Sequence, residues 1–332
     1  MAITATDFNN IRNKVVGVLG TGSTGYGQTP VSSAATSATA ISATLWNNLR
    51  TDMLKARQHQ TGRDETPFAP AVLNRTTTIT EAIRVAFDNY ANQIVSDQRL
   101  LGYSPLEDEI IDQAQPELFF TSAQYTANWN QTLYYRARVK FADNLQARYF
   151  FNAGGQIRFY AAKTDRTSSL TKDIEWDNIL GTSTTKNGTS PGSGIGKVVY
   201  KYNSVEQLAG SFATSGTSSP QYSFYTAASS YVNSSLPTTA TTIFTKSASA
   251  YSSNIYDIRM YADNASSPTQ LTFLIRFQDL AGGNVDEQNT GKLTQYVEIL
   301  RPTVTGGVTV NGPSLALSAQ AGISNDILVA GS

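Results

Sequence analysis

A single histidine, His59, stands in a chain of 332 residues that contains no cysteine. Those two facts bound the available chemistry. Any Ser-His-Asp relay or imidazole-centred metal site must pass through His59. Disulfides, thiolate zinc sites and cysteine nucleophiles are excluded. His59 sits near the end of a helical pattern, where an imidazole suits the carbonyl end of the dipole, so a cap or an interface hydrogen bond is the expected role.

Three other groupings could do chemistry. Gly20, Gly22 and Gly25 match G-x-G-x-x-G after an apolar stretch at 15–19. A dinucleotide fingerprint needs a strand before it, a helix after it and an acid about 20 residues on. Here the preceding stripe is helical, Gly27 and Pro30 follow, and the first acid is Asp52, so the motif reads as a turn. No P-loop is present. Carboxylate pairs could serve a glycosidase, the candidates being Asp257, Asp263, Asp279, Asp286 and Glu287. They lie at strand ends, where acids serve turns. Asp286, Glu287 and Asn289 offer oxygen ligands but not the EF-hand spacing. The asparagines heading N-x-[ST] triplets, Asn74, Asn130, Asn187, Asn233 and Asn264, are what a Ser/Thr-rich chain produces by chance. The expectation is therefore a non-enzyme with no catalytic, cofactor-binding or metal residues and no cofactor.

Composition points the same way. Hydrophobic residues are 40% of the chain, enough for a core, while charged residues are only 15%, well under the usual quarter or so. Formal net charge is zero, which gives no field to steer the chain to nucleic acid and little repulsion against self-association. The first ten residues carry neither a basic stretch nor an apolar run, and no apolar segment approaches a membrane span. The expectation is a protein made in a cytoplasm, without membrane insertion.

The elements that would position these residues fall into two parts. Residues 1–105 read as a helical region. Phe8, Ile11, Val15 and Val18 form one stripe, capped by Thr6. A Gly/Ser/Thr-rich arm follows at 20–40. A second helix at 42–58 buries Leu45, Leu49, Met53 and Ala56, ended by Gly62 with Pro67 and Pro70 beyond. A third begins at a Thr78-x-x-Glu81 capping box, with Ile83, Phe87, Tyr90 and Ile94 as a seam for helices of the same or neighbouring subunits.

From about residue 117 the period becomes 2. Residues 133–141 alternate as a half-buried strand. Residues 145–161 read as two strands around a hairpin loop at Asn152, Ala153, Gly154 and Gly155. Further strands are expected at 197–202, 221–225, 254–262, 271–278 and 292–301, with loops at 182–196 and 208–219. The 17 tyrosines and 14 phenylalanines, including Tyr149, Phe150, Phe151, Phe159 and Tyr160, suit a β-core and subunit interfaces. The fold class expected is α+β: a helical N-terminal region for attachment and oligomerisation, an antiparallel β-sandwich-like domain over 106–312, and a small-residue tail at 313–332.

Several stretches resemble a family of virion structural proteins from marine T4-like myophages, the cyanophages especially. They are 7–12, 18–22, 26–28, 46–52 and 59–62 in the helical part, then 150–159, 273–279 and 291–302 in the β part. The resemblance implies a particle component of the tail, neck, baseplate or tail-fibre apparatus, placed in the virion by assembly in the host cytoplasm and released by lysis. Its partners would be copies of itself, as a trimer by analogy with fibre-like β-bodies, and other virion proteins. The alternatives carried are a fibre module binding a host receptor or surface glycan, and a capsid decoration or cement protein.

Overall fold

A computed structural model describes residues 3–36, 41–61, 78–100, 117–130, 132–167, 171–180, 197–208, 217–225, 232–233, 236–248, 251–280, 289–301 and 308–320. The fold is α+β, with two antiparallel sheets forming a sandwich-like body.

Three helices open the chain: α1 (Ala5–Leu19), α2 (Ala43–Thr61) and α3 (Glu81–Ser96). The α1 stripe of Phe8, Ile11, Val15 and Val18 is buried as its spacing requires. Its cap is Thr4, not Thr6. Asp7 closes a capping box by accepting from the Thr4 amide at 2.8 Å, an arrangement in which the short acid replaces the usual Glu. Likewise α3 is capped by Thr80, whose hydroxyl accepts from Ile83. The Thr78–Glu81 box does not form, because Glu81 turns to Arg84 instead. Trp46 of α2 wedges edge-on between Phe8 and Phe87, at 5.2 and 4.7 Å. This aromatic triad, fully buried, ties α1, α2 and α3 together and contributes roughly 2–3 kcal/mol per ring. The α3 seam thus packs within its own chain: Phe87 and Ile94 are buried, with Ile83 and Tyr90 against the core.

The described part of the arm lies along these helices. Buried Asp52 of α2 accepts from the amides of Val31 and Ser32, each at 2.9 Å, and Asn9 of α1 exchanges two hydrogen bonds with Ala35. Gly62, Pro67, Pro70, Asn74, Asn187, Asp286 and Glu287, the expected loop at 182–196 and the last twelve residues of the expected tail lie outside the described residues.

The first sheet runs β1 (Glu117–Tyr125), β10 (Lys292–Arg301), β3 (Gln156–Thr164), β4 (Lys197–Tyr200) and β5 (Val205–Leu208). The second runs β11 (Ser314–Gln320), β2 (Leu133–Lys140), β9 (Gln270–Gln278), β8 (Ile255–Ala262), β7 (Thr241–Ser247) and β6 (Thr217–Ser218). They pack through Phe159 and Tyr200 on Phe273, at 4.8 and 5.3 Å. Tyr135 and Tyr256 of the second sheet reach the Leu293 carbonyl and the Gln295 amide oxygen of β10. The same apolar cluster continues into the helices.

Four expectations are corrected here. Residues 145–152 are helix, not strand: α4 (Asn144–Asn152) starts at Asp143, whose carboxylate accepts from Gln146. Aromatic density suggested a strand, but Ala147, Phe150 and Phe151 are buried at helical spacing. Consequently 152–155 is no hairpin loop. Gly154 takes φ 88°, its amide reaches Phe151 and that of Gly155 reaches Phe150, the Schellman pattern that ends a helix. Residues 221–225 hold a 3-10 turn (Pro220–Tyr222) and a single bridge from Tyr225 to Val232, because Pro220 sets the turn. In the expected tail, Ser314–Gln320 pairs with residues 134–140 of β2, with Leu315 and Leu317 against the core; alternation outweighs small side chains. Four elements were not read at all, β5, β6, β7 and α5 (Thr171–Leu180), and β6 pairs with β7 from within the loop expected at 208–219.

Candidate functional site

Three features spread along the sequence from Gly20 to Gly155 meet at one place: the glycine turn, His59 and the Asn152–Gly155 cap. Their meeting place is the junction between the helices and the β-body.

The turn begins where α1 ends. Gly20 donates to Val16 at 2.8 Å, and the chain then reverses on itself, Tyr26 donating to Val18 and Gln28 to Leu19, both at 2.8 Å. A side chain at 25 would strike the Gly20 carbonyl, its Cβ only 1.8 Å away. Gly27 has φ 76° and lies against the Tyr149 ring. A phosphate-cradling loop presents N–H groups to its ligand. This turn presents carbonyls to its own protein instead. Asn152 Nδ2 donates to Ser23 and Gly25, at 3.0 and 2.9 Å. The Tyr149 hydroxyl reaches the Thr21 carbonyl at 3.3 Å, and Gln98 Nε2 reaches that of Thr24.

His59, in the last turn of α2, is completely buried. Its Nε2 lies 2.9 Å from the Ala153 carbonyl, so the neutral tautomer with Nε2 protonated is required. Nδ1 has no partner among the described residues. Burial lowers the imidazole pKa to about 4, against the opposing pull of the Ala153 carbonyl. The Tyr26 ring packs at 4.9 Å, and its hydroxyl donates to the Gln98 carbonyl while accepting from Gln60. Gln60 also donates to Ile94 at 2.8 Å, and Arg57 pairs with Asp97 at 2.6 Å. The junction is therefore a buried polar seam, in which His59, Asn152, Gln60 and Tyr26 each make at least one hydrogen bond.

The remaining candidates are dispersed. Asp263 holds the β8–β9 turn, accepting from Thr269 and Gln270. Asp279 lies at the far end of β9, nine strand residues away, about 30 Å at the rise of a strand. Asp257 on β8 is paired with Arg276, whose Nε donates at 2.9 Å. Asp279 is paired with Lys172 at 3.0 Å and accepts from Asn289 at 2.6 Å. Burial raises the pKa of both carboxyls, with the paired cations pulling it down. Phe159 and Tyr160 leave the junction, facing Phe273 and Tyr296 respectively. Asn233 is buried and donates to Gln221.

Two groupings escaped the sequence reading. One clamps α5: Lys163 of β3 meets Asp173 and Asp177, spaced i, i+4 on the helix, while Asp173 accepts from Thr290. The acid spacing was legible, but not the lysine that faces it. The other is a cleft beside the junction, considered below. No group of three or more potential metal ligands occurs among the described residues, and no described helix is long and apolar enough to cross a membrane.

No family model, curated protein or solved structure matches this chain. What the junction can do chemically follows from its own bonds. It holds two structural regions in fixed register, using the residues whose types first suggested catalysis.

Proposed function

We propose that this chain is a structural subunit of a tailed-phage particle, belonging to the tail, neck, baseplate or fibre apparatus, and that it acts through subunit contacts rather than turnover. The observation that carries the reading is the commitment of His59 and the glycine turn to a bond network between the helices and the β-body. Asp257 and Asp279 are likewise held by arginine and lysine. Rigid coupling of this kind suits a part that transmits load between neighbours. Zero formal charge and the resemblance of the 7–62 and 150–159 stretches to marine myophage virion proteins support the same reading.

The test is location. Antibody raised against the chain should label purified tailed particles at the tail or its base. Labelling of isolated heads alone would favour a decoration protein, and absence from washed particles would defeat the proposal.

A further inference from the structure

Beside the junction, a cleft of about 400 Å³ opens between the end of α3 and the β4–β5 turn. That volume falls in the range of small-molecule sites. Arg99 and Lys201 border it, with Tyr202, Asn203, Gln156 and Leu100. No carboxylate is among its described lining residues. Lys201 is neutralised by Glu206. Arg99 is not: its guanidinium carbon lies over the Tyr202 ring, 3.3 Å from the centroid, it hydrogen-bonds the Tyr202 hydroxyl, Nε is buried without a hydrogen bond, and no carboxylate pairs with it among the described residues. Arg148 of α4 is equally without a described carboxylate, and both arginines act electrostatically on the Tyr225 hydroxyl. Tyr225 in turn packs on Tyr202 at 4.3 Å.

A half-buried guanidinium with no counter-ion among the described residues is costly unless an anion completes it. Contact with Tyr202 holds the Arg99 fork in place, and those of its N–H groups not turned to the Tyr202 hydroxyl are donors suited to a planar or tetrahedral oxyanion. The remaining lining mixes amides, which suit hydroxyl groups, with an apolar Leu100. From this we infer that the cleft binds a small polyhydroxylated oxyanion, a monosaccharide unit bearing a carboxylate or a phosphate. The inference is independent of where the chain sits in a particle.

Titration of the full chain with glucuronate, glucose 6-phosphate, glucose and inorganic sulfate, followed by calorimetry or NMR, tests this. The two charged sugars should bind. Glucose and sulfate should each bind at least about tenfold more weakly, since a charge-assisted hydrogen bond is worth about that factor. Arg99→Met should cost at least about tenfold, Arg148→Met less, and Arg84→Met, remote and paired with Glu81, nothing. Should Arg99→Met fail to fold, Asn203→Trp at an exposed position should block the cleft with its charge intact. The charged sugar that binds distinguishes a carboxylate ligand from a phosphate one. Failure of both charged sugars, equal binding by glucose or sulfate, or unchanged binding by Arg99→Met or Asn203→Trp would overturn the inference.

Discussion

His59 and Ala153 are 94 residues apart in sequence and joined by one hydrogen bond of 2.9 Å, made inside the protein by an imidazole with no exposure to water. Because the folded pKa is about 4 and the ordinary value 6.5, the neutral ring stabilises the fold fully above pH 6.5. Below that, the unfolded chain takes up a proton that the folded one refuses, and stability falls until about pH 4. The loss approaches about 3 kcal/mol, at 1.36 per unit of displacement. His59→Gln keeps an amide donor without a titrating group. Urea denaturation from pH 7.5 to 4.5 should show wild type losing stability relative to this variant, and parallel curves would refute the assignment.

Gly27 is held at positive φ against the face of Tyr149, where an added Cβ would approach a ring carbon to 2.4 Å. Gly27→Ala combines backbone strain with overpacking and should cost on the order of 3 kcal/mol, visible as a lowered urea midpoint. Gly22→Ala in the same turn has open space and should be nearly silent.

Asn152 supplies two donors to the carbonyls of Ser23 and Gly25. Asn152→Ala leaves those carbonyls without it and should cost about 2 kcal/mol. Asn152→Asp should cost more than Asn152→Ala at pH 7, since it buries an anion facing two carbonyl oxygens. The order of the two thermal midpoints checks this, and a reversed order would show that the carbonyls do not face the side chain.

Asp52 anchors the arm. Asp52→Ala orphans the amides of Val31 and Ser32 and should cost about 2–3 kcal/mol, while raising amide exchange at those two positions before the helices themselves loosen.

Much of this architecture was legible in the chain. The α1 stripe, the α2 core residues and the alternation of β2 each follow from one period seen on one face. Legibility failed at α4, which packs Tyr149, Phe150 and Phe151 consecutively into the core and so passed for a strand, whereas β3, with seven consecutive buried residues, was read as the strand it is. The cap at Asp143 was the available signal for α4, and it is local. The junction was legible only in pieces. His59, the glycines and the 152–155 turn each stood out alone, yet nothing in their spacing says that they touch, because that is set by long-range packing. Arg99 and Arg148 gave no sequence signal, being ordinary surface types until seen without a carboxylate among the described residues.

A subunit built for assembly should not persist as single chains. Multi-angle light scattering of the purified protein at tens of micromolar, near pH 7.5, should give a discrete mass at a multiple of the 35.8 kDa chain, three copies being the expected number. A sharp peak at one chain mass, unchanged over a hundredfold in concentration, would contradict a role carried by contacts between copies.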